Sequence, residues 1–354
     1  MVRAMNATAK RIVARGCRGL GIDRIIRRST PGRFVILMFH RVVSAATLET
    51  SANTPLMVAE GIFHDMAETL ARRSHCLPLR QALALARTGA VYSKPVVAIT
   101  FDDGYGDFGE TVFPILKRFG LPATMFLPTG FLDDPDRFFW WDAVEASLAA
   151  PRGLERFADA ALPEAFLREL SAVAANPSPG KTAAFIRGPL YRLDPVERAQ
   201  FVGMLPVRAD RRPAMLSWDH VRDMAGSGLV DFAAHGVTHA LLDELESAPA
   251  LEEVVASKQR IEEETGRPVT SFAYPAGRIP SYYKEMLDQA RIGLAVTTRF
   301  GGNDARSNPL LLRRVDARFC QTGDTFDPLF FMAVCSGCFD WLHGLREARH
   351  GVVN

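Results

Sequence analysis

Short apolar segments recur along this chain, and their spacing limits the folds that the chain can adopt more than any other feature of the sequence. Six of these segments are five or six residues long: residues 34–39, 96–100, 123–127, 229–233, 270–274 and 293–297. Runs of this length without polar alternation predict strands that are buried on both faces. Helical patterns lie between them at residues 62–73, 79–87, 109–119, 249–265 and 280–290. Strands that alternate with helices predict parallel βαβ units and an α/β fold.

Polar residues of the types used in catalysis stand where these segments end. Five residues share this position: His40, Asp102, Asp103, His235 and Tyr274. In parallel α/β folds the chemistry collects at the carboxyl ends of the strands, because the loops of several strands meet there. The sequence therefore predicts one site to which these residues contribute.

The carboxylate pair Asp102-Asp103 is followed by Gly104, which is typical of a turn after a strand. Adjacent side chains that leave a strand point to different sides. One carboxylate could therefore bind a metal ion while the other faces the water that reacts. A turn or a helix cap is the structural alternative, because Asp is common at both.

Two histidines, His235 and His239, stand four residues apart. On a helical turn they would share one face and could chelate one ion, whereas two surface histidines are the structural alternative. Two imidazoles and one carboxylate leave coordination positions open, which is the pattern of a catalytic metal site. The same set can hold ferrous iron for oxygen chemistry, so the ligands alone do not fix the reaction.

Three motifs, in this order, resemble those of the polysaccharide deacetylase family, the NodB-homology enzymes of carbohydrate esterase family 4. They are residues 100–105 (TFDDGY), 235–239 (HGVTH) and 272–277 (FAYPAG), and the resemblance covers residues 34–320. It implies a distorted (β/α)7 TIM-like barrel. It also implies metal-dependent removal of acetyl groups from N-acetylated sugars or, in some members, from O-acetyl esters.

The resemblance implies a role for each motif, carried over position by position. Asp102 would be the general base, and the segment Tyr274-Pro275 would line the site, with a backbone N–H near Tyr274 helping to hold the oxyanion. Three residues would bind the ion, usually Zn²⁺ and otherwise Co²⁺, Ni²⁺ or Mn²⁺: Asp103, His235 and His239.

The catalytic acid of the family is most often a late histidine, which this chain lacks. No histidine stands between His239 and His343, and His343 belongs to the C-terminal segment beyond the expected barrel. One branch of the family is circularly permuted and carries this histidine at the end of its first strand. Met38-Phe39-His40-Arg41 fits that branch, so we expect His40 to be the acid. A strand-end histidine with only a structural role is the alternative.

Two further positions depart from the family pattern. Gly236 stands where the family usually has Ser or Thr, which removes a side chain that shapes the loop. The arginine that orients the base in the third motif is also missing, since Ala273 stands in that neighbourhood. Arg278, Arg313 and Arg314 are the candidates for its role, and the sequence does not rank them.

The N-terminal segment, residues 1–33, is a basic arm with nine Lys and Arg residues against one acid, Asp23. The net charge of the whole chain is +2, so the arm contributes +8 and the remaining residues sum to −6. A mildly acidic body argues against nucleic acid as a partner. Gly16, Gly19 and Gly21 are expected to interrupt any helix in the arm, which favours a solvated tail over a contact with a membrane surface.

The alternation of strands and helices breaks at residues 138–216, which predict a helical subdomain inserted in the barrel. A C-terminal helical extension is expected over residues 321–354. Trp140, Trp141 and Trp218 are candidates for contact with sugar rings, although large aromatic side chains more often pack in a core or a lid.

Five cysteines at irregular spacing do not predict a disulfide framework, which favours a reducing compartment. Cys335 and Cys338 are expected to be buried thiols rather than a redox or zinc pair, and Asp219 is expected to cap a helix. The N-terminus has no apolar segment of the kind found in signal peptides. We therefore expect a cytoplasmic protein, with peripheral membrane contact through the arm as an option.

The combined interpretation is a metal-dependent hydrolase that deacetylates an N-acetylated polysaccharide or a lipid-linked sugar in an exopolysaccharide or surface-glycan pathway. A catalytically silent relative that binds glycan as a scaffold or regulator is the first alternative. A non-haem iron oxygenase is the second. The sequence does not indicate the oligomeric state.

Overall fold

The computed structural model describes residues 7–148 except 52 and 135, residues 190, 193 and 195–203, and residues 213–340 except 323 and 324. The strands in this part of the chain are β1 (Phe34–Phe39), β2 (Arg41–Val43), β3 (Met57–Ala59), β4 (His75–Cys76), β5 (Val96–Phe101), β6 (Ala123–Leu127), β7 (Val230–Ala234), β8 (Ser271–Ala273), β9 (Leu294–Phe300), β10 (Leu312–Asp316), β11 (Gln321–Thr322) and β12 (Thr325–Phe326).

The helices in the same part of the chain are α1 (Ala7–Gly19), α2 (Ile22–Ser29), α3 (Ala45–Thr50), α4 (Glu60–Arg73), α5 (Leu79–Arg87), α6 (Phe113–Phe119), α7 (Gly130–Asp133), α8 (Trp140–Leu148), α9 (Pro195–Gly203), α10 (Trp218–Gly226), α11 (Ser247–Thr265), α12 (Tyr283–Gln289) and α13 (Pro328–Cys335). A π-helical segment, Phe108–Val112, leads into α6. Short 3₁₀ turns occur at Thr54–Leu56, Leu242–Glu244, Pro275–Gly277 and Ala317–Cys320.

Seven parallel strands form a closed barrel in the order β1-β10-β9-β8-β7-β6-β5. The ring closes because β1 pairs with β5 along its whole length, from Phe34 opposite Val96 to Phe39 opposite Phe101. The short β4 pairs with the start of β5. This confirms the (β/α)7 barrel that the family resemblance implies.

The alternation of side chains along β1 shows how the barrel is filled. Val35, Leu37 and Phe39 belong to the large cluster that packs against the surrounding helices, whereas Phe34 and Ile36 belong to a second cluster. That second cluster contains residues from the six other strands of the barrel: Ala98, Phe126, Ala233, Ala273, Val296 and Leu312 are examples. Side chains on successive residues point to opposite faces of a strand, so both faces need apolar residues and the strand appears as an unbroken apolar run.

The seventh strand, β10, has no counterpart among the six apolar segments of the sequence analysis. It contains Arg313 and Arg314, and these two charges break the apolar pattern by which a buried strand is recognised. Arg313 is exposed, but Arg314 is only 1% exposed and lies among the buried residues. A buried arginine is rare unless it is paired, so its partner, described below, explains the strand.

The basic arm forms two helices, and the expectation that its glycines interrupt any helix is wrong for Gly16, through which α1 continues. It holds at Gly19 and Gly21, because α1 ends at Gly19 and Gly21, with a φ of 66°, separates it from α2. Glycine in a helix costs about 1 kcal/mol relative to alanine. Burial of Ala14 and Cys17 in the core offsets that cost.

Two local predictions meet different outcomes. The N-cap of α10 is Ser217, whose hydroxyl accepts a hydrogen bond from the His220 backbone N–H. Asp219 lies in the first turn of the helix and pairs with Arg222. The prediction that Asp219 caps the helix is therefore wrong. Cys335 and Cys338 are buried free thiols, as predicted.

Part of the predicted insertion lies outside the described residues, and its described parts include α8 and α9. The boundaries of the arm, the insertion and the C-terminal extension stay predictions. None of the helices in the described ranges combines the length and apolar character needed to cross a bilayer.

Candidate active site

A sharp turn after β5 carries the carboxylate pair. Asp102 donates its backbone N–H to the Phe39 carbonyl (3.0 Å), which extends the pairing of β5 with β1 by one residue. Asp103 and Gly104 then both adopt left-handed backbone conformations, with φ of 77° and 72°. Such a φ strains an aspartate, and strain of this kind is tolerated mainly at functional sites. Both carboxylates are buried, each residue being 2% exposed.

Arg314 is the partner of Asp102. Its two terminal nitrogens donate to the two carboxylate oxygens of Asp102, both at 2.7 Å, and its Nε donates to the Thr297 carbonyl (2.9 Å). Burial alone would raise the pKa of Asp102, but the charge and hydrogen bonds of Arg314 hold it below its usual value. A bidentate pair of this kind fixes both the charge and the orientation of a carboxylate.

The other two arginine candidates lie elsewhere. Arg278 pairs with Asp243 (2.6 Å), and the guanidinium of Arg313 donates to the Phe300 carbonyl (3.3 Å). Of the three arginines that the sequence leaves unranked, the structure therefore brings Arg314 to Asp102.

Asp103, His235 and His239 form a cluster whose ligand atoms all lie within 4.8 Å of one another. Asp103 Oδ1 is 3.5 Å from His235 Nε2 and 3.6 Å from His239 Nε2. His235 Nδ1 lies 2.7 Å from the Ala273 carbonyl, and this contact assigns the proton to Nδ1 and leaves the Nε2 lone pair directed at the cluster.

The donor set fits a divalent metal ion. Ligand atoms about 2.0–2.2 Å from a tetrahedral Zn²⁺ lie about 3.3–3.6 Å apart, which is close to the two separations measured here. Burial, and the neighbouring His235, lower the pKa of His239 to about 4, so its imidazole is neutral and can ligate. Asp103 is buried, yet the hydrogen bond and the charges of the nearby histidines hold its pKa well below the usual range, so it is ionised.

The loop that carries the two histidines is not a helical turn, and the expected helical spacing is wrong in that respect. Residues 235–240 form an irregular loop with bends at Val237 and Thr238, and His239 has a φ of 59°. The loop is held from outside by Glu253 of α11, whose carboxylate accepts from the backbone N–H groups of Val237 (2.7 Å) and Thr238 (2.9 Å) and from the Thr238 hydroxyl (2.8 Å).

Gly236 and Glu253 depend on each other. Gly236 has a φ of 81°, and a Cβ atom there would lie 2.8 Å from Glu253 Oε2. A side chain at position 236 would therefore displace the carboxylate that holds this loop. The sequence analysis missed Glu253, because it belongs to a charged helical stretch with nothing to distinguish it from its neighbours.

His40 lies beside the candidate base. Its Nε2 is 4.0 Å from Asp102 Oδ2, and its side chain is 20% exposed. The proximity follows from the pairing of Phe39 with Phe101, since the residues after each then leave the sheet side by side. Burial lowers the pKa of His40, and the charges of Asp103, Asp102 and Asp316 oppose that shift.

Two aromatic rings close the site on the side of His239. Phe139 and Trp141 stack on each other, with ring centroids 4.4 Å apart, and lie 5.5 and 5.4 Å from the His239 ring. Trp141 is 4% exposed, and its Nε1 donates to the Tyr105 hydroxyl (2.8 Å), which in turn donates to Asp142 (2.8 Å). The first residues of the insertion therefore form a wall of the site.

The remaining tryptophans are less central. Trp140 is half-buried and packs edge-on against Trp141. Trp218 donates to Asp133 (2.8 Å) and lies under the Arg260 guanidinium. Contact of these three side chains with sugar stays a prediction.

The segment Tyr274-Pro275 follows β8. Tyr274 is fully buried; its backbone N–H donates to the Val296 carbonyl (3.2 Å) and its hydroxyl to the Leu310 carbonyl (3.0 Å). The N–H of Tyr274 itself is therefore engaged, and proline has none. Ala276, with a φ of 52°, turns the chain directly after them. The oxyanion role of this segment stays a prediction.

The barrel and this geometry agree with what the chain is similar to. A family model described as polysaccharide deacetylase matches residues 90–163 and 181–295, which is more than half of the chain. The chain therefore belongs to the polysaccharide deacetylase family. The matched ranges contain the carboxylate pair and both histidines of the cluster, whereas His40 and Arg314 lie outside them.

Individual relatives are distant. YxkH of Bacillus subtilis (strain 168), whose name assigns it provisionally to the polysaccharide deacetylases, is 29% identical over 102 residues, which are 29% of this chain and 34% of YxkH. The chain thus spans about a third of the length of that curated relative.

Two solved structures share the fold. The Streptococcus pyogenes deacetylase PplD, solved with acetate, is 19% identical with a TM-score of 0.54, and the match covers 81% of this chain and 93% of PplD. BC0361, a polysaccharide deacetylase from Bacillus cereus, is 16% identical with a TM-score of 0.53, and the match covers 86% of this chain and 69% of BC0361.

Proposed function

We propose that this protein hydrolyses acetyl groups from an N-acetylated glycan with the help of a divalent metal ion, Zn²⁺ by preference. The proposal rests on the observation that the two adjacent carboxylates have different partners. Asp102 is held by Arg314, while Asp103 faces two imidazoles. Family membership supports the reaction class, and this division of the two carboxylates supports its mechanism.

Hydrolysis of an acetamide requires a base for the attacking water and an acid for the leaving nitrogen. In our proposal Asp102, kept ionised by Arg314, accepts the proton of the water. His40, 4.0 Å from Asp102, gives a proton to the amine as the carbon–nitrogen bond breaks. Steps of this kind each contribute about 10²–10⁴-fold to a rate. An ion held by Asp103, His235 and His239 would supply Lewis acidity to the acetyl carbonyl and to the water.

The proposed substrate class is an N-acetylated polysaccharide or a lipid-linked oligosaccharide of an exopolysaccharide or surface-glycan pathway. The family supports an acetylated glycan. The relative PplD is a deacetylase whose structure was solved in complex with acetate. Acetate is the acyl product that our proposal requires of this chain. Membership of the family leaves the iron oxygenase alternative without support.

Release of acetate tests the proposal. Purified protein, stripped with a chelator and reloaded with Zn²⁺, would be incubated with oligomers of N-acetylglucosamine and, separately, with an O-acetylated xylan. We expect acetate from the first substrate, and loss of at least about a hundredfold in Asp102→Asn because the base is removed. Asp219→Asn, an exposed carboxylate of α10, is the matched control and should keep full activity.

Two results would overturn the proposal. Full activity in Asp102→Asn would remove the base from the mechanism. Binding of the oligomers without any release of acetate, in protein that holds its metal, would favour the silent glycan-binding alternative.

A further inference from the structure

The large apolar side chains that are exposed in the described residues belong to the basic arm or to a loop that is hydrogen-bonded to its end. They are Ile12, Leu20, Ile25 and Val91, which are 63%, 74%, 62% and 50% exposed. The first three belong to α1, α2 and the turn between them. Val91 follows Ala90, whose carbonyl accepts a hydrogen bond from the Gly32 backbone N–H (3.1 Å) and so ties this loop to the end of the arm. We call these four side chains, with the exposed arginines of the arm, the arm face.

The opposite side of the arm packs against the rest of the protein. Ala14 and Cys17 are buried, and Ile22 and Ile26 pack against the core. Arg11 donates to Asp327 at the start of α13 (3.1 Å). Both helices therefore have a fixed inner face, and the apolar residues of the arm face make no comparable contribution to the fold.

Exposed arginines lie in the same segment. Among the arm residues that the structure describes, five are exposed: Arg11, which pairs with Asp327, and Arg15, Arg18, Arg24 and Arg28. Arg18 also lines a cavity of about 310 Å³, to which Arg73 and Lys94 contribute as well. Asp23 is the one acid of the arm, whereas the rest of the chain carries a net charge of −6. The arm face is thus apolar and cationic at once on an otherwise acidic molecule.

We propose that the arm face binds the surface of an anionic phospholipid bilayer. Helices with a cationic polar side and exposed Ile or Leu lie in the interface of such bilayers, with the apolar side chains at the boundary of headgroups and acyl chains. Each arginine near an anionic surface adds about 1 kcal/mol. Nucleic acid would satisfy the arginines but would leave the apolar side chains in water, so the charge pattern together with the apolar pattern selects the lipid surface.

The position of the arm face determines how the barrel would be presented. The arm leads into the amino end of β1, and Lys94 stands just before the amino end of β5. His40 and Asp102 follow the carboxyl ends of the same two strands. Six residues of strand span about 20 Å. A barrel bound through the arm face would therefore hold its candidate active site at the end of β1 and β5 that is remote from the arm.

Vesicle flotation with the full chain tests this proposal. Vesicles of phosphatidylcholine alone would be compared with vesicles that contain one quarter phosphatidylglycerol. We expect binding only to the anionic vesicles, and weaker binding as salt is raised, because screening shortens the reach of surface charges. The double variant Arg15→Gln, Arg24→Gln should lower the partition coefficient about thirtyfold, since two arginines contribute about 2 kcal/mol and each 1.4 kcal/mol is tenfold.

A second variant and a matched control separate the two components of the surface. The triple variant Ile12→Ser, Leu20→Ser, Ile25→Ser should abolish binding while the net charge stays unchanged. Arg267→Gln, Lys284→Gln removes the same charge from exposed positions outside the arm and should bind like the wild type. Acetate release and the thermal midpoint, measured on each variant, show that the barrel is intact. Equal binding to neutral vesicles, or undiminished binding by either arm variant, would overturn the proposal.

Discussion

At the scale of single residues, the site depends on buried charges that have specific partners. Asp102 would be unstable as a buried anion without Arg314, and Arg314 would be unstable as a buried cation without Asp102. The motif around Asp102 is visible in the sequence because a Gly follows two Asp residues after an apolar run. Arg314 is not, because an arginine within a strand carries no local sign that it faces inward.

The first prediction concerns this pair. Arg314→Gln leaves Asp102 without its cation, so we expect kcat to fall at least about a hundredfold with little change in KM, because the base is misplaced while the rest of the site stays. Loss of one partner of a buried pair also costs about 3–5 kcal/mol of the free energy of unfolding. Steady-state kinetics and urea unfolding measure the two effects.

The adjacent residue provides the control for that prediction. Arg313→Gln removes an exposed guanidinium from the same strand and should change the free energy of unfolding by no more than about 0.5 kcal/mol. Equal losses of kcat in both variants would show that Arg314 has only a structural role.

The second prediction concerns Asp142, which accepts hydrogen bonds from Tyr105 and from Asn53 (3.1 Å) in a buried position. Burial raises the pKa of Asp142 to about 7, although Arg41 opposes the shift. The folded chain therefore keeps a proton, between about pH 4 and pH 7, that the unfolded chain has released. This group's contribution to stability falls as the pH rises through that window.

Asp142→Asn removes this titration, and urea unfolding at two pH values measures the effect. On going from pH 7.5 to pH 5, the wild type should gain about 2 kcal/mol of unfolding free energy relative to the variant. Asp219→Asn, at an exposed position, should follow the wild type. Parallel curves for wild type and Asp142→Asn would contradict the raised pKa.

At the scale of elements, the loop between β7 and α11 is shaped by a carboxylate of α11. The Glu253 carboxylate accepts hydrogen bonds from two backbone N–H groups and one hydroxyl of this loop. Gly236, which has no side chain, leaves the space that this carboxylate occupies. The sequence shows that Gly236 departs from the family and that the loop carries two candidate ligands. It does not show the support from Glu253, because that residue lies in a separate helix.

The third prediction concerns this support. Glu253→Ala frees the loop that positions His239, and loss of groups that orient metal ligands typically lowers metal affinity about 10–100-fold. Competition with a chelator of known affinity measures the Zn²⁺ dissociation constant. Glu252→Ala, the exposed residue beside it, should leave that constant unchanged. An unchanged constant in Glu253→Ala would show that the loop holds its shape without the carboxylate.

At the scale of the whole molecule, the alternation of apolar runs and helices was sufficient to predict a parallel α/β fold and the strand ends where the site lies, whereas closure into a barrel was implied by the family resemblance. A strand that is buried on both faces has apolar residues at successive positions, and this local pattern allowed β1 and β5 to be recognised in the sequence. Three features could not be recognised in this way: the helical arm, β10 and the wall formed by Trp141. Each depends on contacts between segments that are distant in the sequence, and no local pattern indicates those contacts.

The fourth prediction concerns the metal and the stability of the barrel. Zn²⁺ that binds the folded chain alone, at a hundred times its dissociation constant, should raise the free energy of unfolding by about 2.7 kcal/mol. Chelation should reverse the gain. His235→Ala should show no such gain, whereas His64→Ala, a histidine of α4, should respond to zinc like the wild type. A zinc response that persists in His235→Ala would place the ion elsewhere.

Closure of the barrel by β1 and β10 has a consequence for biosynthesis. His40 leaves the ribosome early, but the strand that must lie beside β1 and supply Arg314 is made more than 270 residues later. At about 5–20 residues per second this interval lasts roughly 15–55 s. Until β10 is made, the nascent sheet exposes the edge of β1 and, once β9 is complete, that of β9, and Asp102 has no guanidinium. Such open edges can pair with other chains, so this protein should need protection by chaperones until the last barrel strand emerges.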